Sequence, residues 1–366
     1  MSKISRFTIE GFRGVRELEV NGLDRVNLII GDNECGKTSI LEALQLLRAP
    51  GDVANAFRVA RLRENSPDPG ISLFDQFVCM FPRGRKIYNL GISATLDGHE
   101  VGCRITGKQK RVILNSAELK KSARYRDHGY ARELESAGEL EADSFRGELR
   151  STFDTRSSST TFEVNTFTHT TGAATGERVG QRINYLSPFE HYTGGAAAVI
   201  ARNEGYKDIC IRLLNQFDPD IIDLLVLQSP LNNRPLECVR HRTLGIIPLA
   251  MCGNGIKRAL ALASAVARSS DGILLIDEVE AALSKQRYDD VFPFLIRASR
   301  AFNVQLFLTV QSTEAIDALF ATQRYAEQRT ADDLRVVAIW KDEAQSYSHV
   351  LPGRAVVERS EAGYEA

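Results

Sequence analysis

The stretch Gly31-Asp32-Asn33-Glu34-Cys35-Gly36-Lys37-Thr38 fits G-x-x-x-x-G-K-[ST] in full, and its flanks are the ones that motif needs. Before it, Arg25-Val-Asn-Leu-Ile-Ile30 reads as a buried strand; after it, Thr38 to Leu47 carries apolar residues at helical spacing. Strand, glycine-bearing loop and helix in that order make a phosphate cradle. The glycines let backbone N–H groups turn inward, the helix N-terminus adds partial positive charge, and Lys37 supplies a full one. Residues Gly31 to Ser39 are therefore expected to hold the phosphates of ATP, with the Thr38 hydroxyl on Mg2+.

A second motif lies far downstream, where Gly272-Ile-Leu-Leu-Ile-Asp277-Glu278 is an apolar strand ending in two carboxylates. In open α/β sheets ligands bind at that end of a strand, which gives paired acids something charged to face. Asp277 is placed to hold the metal, as a Walker B acid does, and Glu278 to polarise the water that attacks the γ-phosphate. Taken alone, the pair would serve equally as the cap and acidic first turn of a helix.

Between these motifs, Cys252-Gly-Asn-Gly-Ile-Lys-Arg258 opens an Ala-rich helix. Gly253, Asn254, Gly255 and Lys257 present free N–H groups and positive charge, a second anion-binding surface. By itself Gly-Asn-Gly is an ordinary turn. Its place just before the Walker B strand is the pattern of ATP-binding-cassette (ABC) heads, in which the signature turn of one subunit closes on ATP held by another.

The chain resembles a bacterial ABC-type ATPase of the OLD-like kind (overcoming lysogenization defect) without a Toprim domain. It is similar to the ATPase subunits of phage-defence systems such as PARIS, and more distantly to the RecF and SMC heads. The residues carrying the resemblance are Ile9-Glu-Gly-Phe-Arg13-Gly14, Gly31 to Ser39, Ile247-Pro-Leu249 leading into Gly253 to Arg258, Leu274 to Glu280, and Leu306 to Glu314. The resemblance implies an α/β P-loop NTPase of ABC type, with a mixed sheet, an antiparallel β subdomain and a helical and polar insertion. It places the first part of the head at 1–115, the polar insertion and helical arm at 116–230, and the second part of the head at 231–366. Related heads carry a basic residue near the phosphates or ribose at the position of Arg13, which could equally be a surface arginine on a strand edge.

Two positions depart from the family pattern. A Leu-His pair usually follows the Walker B acids, whereas this chain reads Ala282-Leu283-Ser284; the next strand usually ends Thr-Thr-His-Ser, whereas here it ends Thr309-Val310-Gln311-Ser312. The missing histidine helps to place the attacking water. Gln311 can orient water, since an amide both donates and accepts, but it cannot exchange a proton. ATP binding with slow hydrolysis is the expectation.

Three strands are predicted at 4–9, 17–20 and 26–30, and a hairpin at 89–96 and 100–105 around Asp97-Gly98-His99. Residues 116–180, rich in charge, Ser and Thr, read as a solvated insertion or a partner-binding lid. A strand is expected over 332–340 and a polar terminus over 354–366.

Net charge is −1, which gives no hint of a nucleic-acid partner, and the six cysteines include no C-x-x-C pair, so neither zinc nor a disulfide framework is indicated. The histidines have no metal-binding spacing, and His241 and His99 read as a strand end and a turn. No apolar run reaches the ~18 residues of a membrane span, so a cytoplasmic protein without a membrane partner is expected. The stretch after Glu278 is expected to finish the ATPase sheet and to hold no nuclease domain. The leading expectation is an oligomerising ATPase subunit that senses a trigger, a phage protein or DNA, and controls a separate effector such as a Toprim nuclease. The alternative is a RecF-like DNA-repair ATPase that clamps DNA itself.

Overall fold

The computed structural model describes residues 3–63, 71–84, 88–115, 139–172, 180–192, 194–324, 333–342, 345–353 and 355. The chain opens with β1 (Ile4–Phe12), β2 (Val15–Asn21) and β3 (Val26–Ile30), followed by α1 (Lys37–Leu44), α2 (Val53–Ala60) and α3 (Leu73–Val78). Next come β4 (Tyr88–Leu96), β5 (His99–Asn115), β6 (Glu139–Phe153), β7 (Arg156–Asn165), β8 (His169–Thr171) and β9 (Ile183–Leu186). Helices α4 (Ala196–Ile200) and α5 (Glu204–Leu214) lead to β10 (Ile221–Gln228), β11 (Pro235–His241) and β12 (Gly245–Pro248). The rest is α6 (Asn254–Arg268), β13 (Ile273–Ile276), α7 (Tyr288–Ala301), β14 (Gln305–Thr309), α8 (Thr313–Arg324), β15 (Leu334–Asp342) and β16 (Gln345–Pro352). Among the described residues no helix is long and apolar enough to cross a membrane.

The strands form three sheets. A seven-stranded antiparallel sheet runs β2-β1-β4-β5-β6-β7-β8, a six-stranded sheet runs β16-β15-β3-β14-β13-β9, and β10-β11-β12 form a small meander. In the six-stranded sheet only β16 is antiparallel to its neighbour. A parallel sheet must be covered on both faces, and the alternation along its strands shows how. Leu275 and Phe307 point into a core shared with α1 and the antiparallel sheet, whereas Leu274, Leu306 and Leu308 point into a second core built with α6 and α7. Buried Gln305 ties the two sheets together, accepting from the Ile4 N–H at 2.8 Å and donating to the Ile4 carbonyl at 2.8 Å and the Asp24 carbonyl at 2.7 Å.

The first three strands and the hairpin lie where the sequence predicts them, and Asp97 and Gly98 have the positive φ (52° and 85°) of a tight hairpin turn. The stretch 116–180 differs from expectation. Residues 139–172 are no polar insertion; they are β6, β7 and β8, pairing residue for residue in the antiparallel sheet. Their apolar residues are few but alternate, so Phe145, Leu149, Phe162 and Val164 all reach the first core while the opposite face meets solvent. Residues 116–138 lie outside the described residues, as does most of the expected polar terminus. In the span of the expected helical arm, α4 and α5 pack into the second core, and β9 is the edge strand beside β13. Strand β15 is joined by β16, a polar edge strand the sequence reading does not anticipate.

Candidate nucleotide-binding site

The loop after β3 is shaped by contacts that only glycine permits. Gly31 has φ 150°, and a Cβ there would lie 2.1 Å from the Ile339 carbonyl oxygen and 2.9 Å from the Cys35 sulfur. Cys35 is accordingly buried under the loop, and Lys37, also buried, folds back so that its ammonium donates to the carbonyls of Gly31 and, at 3.0 Å, Asp32. Helix α1 begins with no side-chain cap, which leaves its first N–H groups to whatever the loop encloses.

A cavity of about 580 Å³ opens over this loop, within the usual range for a small-molecule site. Lys37, Thr38, Asp277, Glu278 and Gln311 all line it, so residues far apart in the chain converge there. Asn33, Glu34, Gly36 and Ser39 line it as well, whereas Gly31, Asp32 and Cys35 do not. Asp277 is nearly fully buried, and its Oδ1 accepts from Thr38 Oγ1 at 3.1 Å and Thr309 Oγ1 at 2.6 Å. Its Oδ2 accepts from the Tyr185 hydroxyl at 3.2 Å. A hydroxyl and carboxylates converging on one point are the oxygen donors that a hard cation such as Mg2+ takes.

Glu278 has φ 46°, left-handed backbone for a residue with a side chain, and it is pinned there from two sides. Its N–H donates to Thr309 Oγ1 at 2.8 Å, and its carbonyl accepts from Arg258 at 2.8 Å. The carboxylate then reaches the cavity and accepts from Gln311 Nε2. Burial, and then the nearby Asp277 and Glu280 carboxylates, raise its pKa above the ordinary range.

Arg13 is no surface arginine: it lines the cavity, its side chain is 10% exposed, and it is paired with fully buried Glu42 at 2.7 Å. Its Nη2 is buried without a hydrogen-bond partner, a cation with capacity left for an anion. Arg63, which nothing in the sequence picks out, donates to the same Glu42 at 2.8 Å and 2.9 Å and to Ser39 at 3.2 Å.

The signature residues lie elsewhere. Gly253, Asn254, Gly255 and Lys257 do not line this cavity. Gly253 caps α6 without any side-chain hydrogen bond, and Gly253 and Asn254 are exposed, so the helix start is bare. Gly255 also has a packing role, since a Cβ there would sit 3.0 Å from the Phe217 ring. Arg258, one position past Lys257, is fully buried and forms a fork to three carbonyls: Ser187 at 2.8 Å, Asp277 at 3.2 Å and Glu278 at 2.8 Å. The helical period, which turns position 258 inward beside Ala259 and Leu262, is the sequence signal that separates it from Lys257. Tyr185, whose hydroxyl donates to Asp277, lies in the short strand β9, outside every motif in the sequence.

Among the described residues, one further group could hold a metal by proximity alone: Asp218, Asp220 and His241. Hydrogen bonding argues against it. His241 Nδ1 accepts from the N–H groups of Thr243 and Leu244, both at 3.2 Å, which puts the ring proton on Nε2, the atom that faces Asp218 at 3.3 Å.

The AAA ATPase domain family matches residues 2–191, and the chain belongs to it. Over 118 residues it is 34% identical to the DNA replication and repair protein RecF of Stutzerimonas stutzeri, covering 32% of this chain and 29% of that protein. To RecF of Pseudomonas syringae pv. syringae it is 33% identical over 118 residues, covering 32% and 30%. The match thus spans less than a third of these relatives. Among solved structures it is similar to an Smc head bound to the C-winged helix domain of ScpA, with TM-score 0.49, 12% identity, and coverage of 96% of this chain and 99% of that one. The SMC head domain from Thermotoga maritima gives TM-score 0.40 and 13% identity, covering 96% and 98%. The phosphate loop between β3 and α1 sits inside the matched AAA ATPase domain.

Proposed function

We propose that the protein binds ATP with Mg2+, hydrolyses it slowly, pairs with a second copy of itself, and in that form controls a separate effector in defence against phage. The observation that carries the ATPase reading is the convergence of Lys37, Thr38, Asp277, Glu278 and Gln311 on one cavity. Lys37 exchanges the carbonyls of Gly31 and Asp32 for phosphate oxygens. Thr38 and Asp277 would hold the metal, which neutralises phosphate charge when bound. Glu278, with its raised pKa, takes the proton of the attacking water, and Gln311, already hydrogen-bonded to Glu278, orients that water. Because an amide cannot relay a proton, hydrolysis is slow.

Pairing is supported by the bare signature turn outside the cavity, which leaves each nucleotide site short of a second wall that another copy would supply. The effector, a Toprim nuclease being the leading candidate, and the phage or DNA trigger come from the OLD-like resemblance. A RecF-like role in binding DNA is the second reading, favoured by the identity to RecF over 118 residues. Mass and nucleotide content of the purified protein, with and without ATP and Mg2+, test the first reading: an ATP-dependent dimer or larger oligomer is expected, and Lys37→Ala should abolish it. A monomer that takes up no nucleotide would refute it. Tight, salt-dependent binding to DNA of any sequence would shift the balance to the second.

A further inference from the structure

A second cavity, of about 390 Å³, lies beside α6. Lys257, Ser264 and Arg268 line it from α6, His191 and Tyr192 from the turn before α4, and Glu237 from β11. Most of its charged groups are already engaged. Glu237 accepts from the N–H groups of Gly195 at 2.8 Å and Ala198 at 3.1 Å, and Arg268 faces Glu190 at 3.6 Å.

Three groups are not. His191 is 8% exposed, and neither of its buried ring nitrogens makes a well-formed hydrogen bond, the Pro188 carbonyl interacting with the ring only weakly. Ser264 is fully buried, and its Oγ has no partner. Lys257 Nζ lies over the Tyr192 ring, 5.5 Å from its centroid, and has no ion pair among the described residues. Burial, then the positive charges of Arg258 and Lys257, lower the His191 pKa, which keeps the ring neutral with one N–H to donate. Buried polar groups left unmatched cost free energy, so His191 and Ser264, with the Lys257 ammonium beside them, point to an occupant that matches them.

We propose that this cavity binds a small oxyanion, of phosphate or carboxylate class, with Lys257 supplying the charge and His191 and Ser264 the hydrogen bonds. An oxyanion offers mainly acceptors, and Lys257, the His191 N–H and the Ser264 hydroxyl can each donate to it. The site is separate from the cavity over the phosphate loop and does not depend on its assignment.

The test uses the full chain carrying Lys37→Ala, so that heat from the phosphate loop does not intrude. Calorimetric titration with inorganic phosphate and, separately, with citrate is expected to show one saturable site for at least one probe. The tighter probe assigns the class. Lys257→Gln, which removes the charge, and Ser264→Ala, which removes the hydroxyl, should each weaken it by ~10-fold, the loss of one interaction with a charged group. His191→Phe should do the same. Absence of saturable binding by either probe, or affinity unchanged in Lys257→Gln and Ser264→Ala, overturns the proposal. If Lys37→Ala still bound ATP, the phosphate-loop reading would fall, while the effect of Ser264→Ala on the oxyanion would stand on its own.

Discussion

The Arg258 guanidinium donates to the Glu278 carbonyl at 2.8 Å, across the gap between the signature helix and the turn that carries the proposed base. The same side chain holds Asp277 and Ser187, so one residue fixes the geometry of both acids. Burial lowers its pKa to about 10, which still leaves it charged at neutral pH. Arg258→Met would strand three carbonyls, and a loss of ~3 kcal/mol in stability is expected. Hydrolysis should fall further than ATP affinity, because Glu278 would be released from its left-handed backbone. Arg258→Lys keeps the charge without the planar fork and should recover only part of the loss. Chemical denaturation and single-turnover hydrolysis provide the measurements, and a folded Arg258→Met variant with full kcat would refute the positioning role.

Glu278→Gln keeps the shape of the side chain and removes its charge. ATP binding should persist while hydrolysis falls by ~100-fold or more. Because its pKa is raised, wild-type kcat should drop on the acid side at a pH above the ordinary glutamate value of ~4.3. The stability sign is opposite to that of a paired carboxylate. The folded state holds this proton more tightly than the unfolded chain, so folding is favoured at low pH and loses that contribution as pH rises through the folded pKa. Glu278→Gln should therefore melt higher than wild type at pH 8, with the difference vanishing toward pH 4. A pH-independent difference in Tm would contradict the assignment.

Gln311 donates to Glu278 through its side chain, while its backbone N–H donates to Glu280 at 2.6 Å. The backbone bond survives substitution, so the strand end should keep its place. Gln311→Ala should lower kcat by ~10-fold at nearly constant ATP affinity, and Gln311→His should match or exceed wild type. Equal rates for Gln311→Ala and wild type would remove this residue from the reaction.

Phe145 packs against Phe77 at 5.2 Å and Phe81 at 5.4 Å between ring centroids. If β6 and β7 belong to the central core, Phe145→Ala should cost ~3–5 kcal/mol and melt the whole head in one transition. A mild, local effect would return residues 139–172 to the status of an appendage.

That last region shows why legibility was uneven. Strands β3 and β13 are buried on both faces and spell continuous apolar runs, which any reading finds. Strands β6 and β7 are buried on one face, and even there use Ser151 and Ser158, hydrogen-bonded to each other at 2.7 Å, so no apolar run betrays them. The phosphate loop and the paired acids were legible because backbone geometry and charge demand particular residues at fixed spacing. Tyr185, Arg63 and Thr309 were not, because each acts through a neighbour brought near by the sheet: Tyr185 on Asp277, Arg63 on Glu42, Thr309 on Asp277 and Glu278.

Strand β3 pairs with β14 on one side and β15 on the other, near Leu306 and Leu334 in the sequence. The strand that carries the phosphate loop is thus made well before either of its partners. Until β15 emerges, Gly31 has no Ile339 carbonyl to settle against, and the loop has no reason to hold its shape. Such distant pairing is slow and leaves an early sheet edge exposed. Nucleotide binding thereby depends on β15 being in place: a chain lacking that strand would lack the surface against which Gly31 is packed.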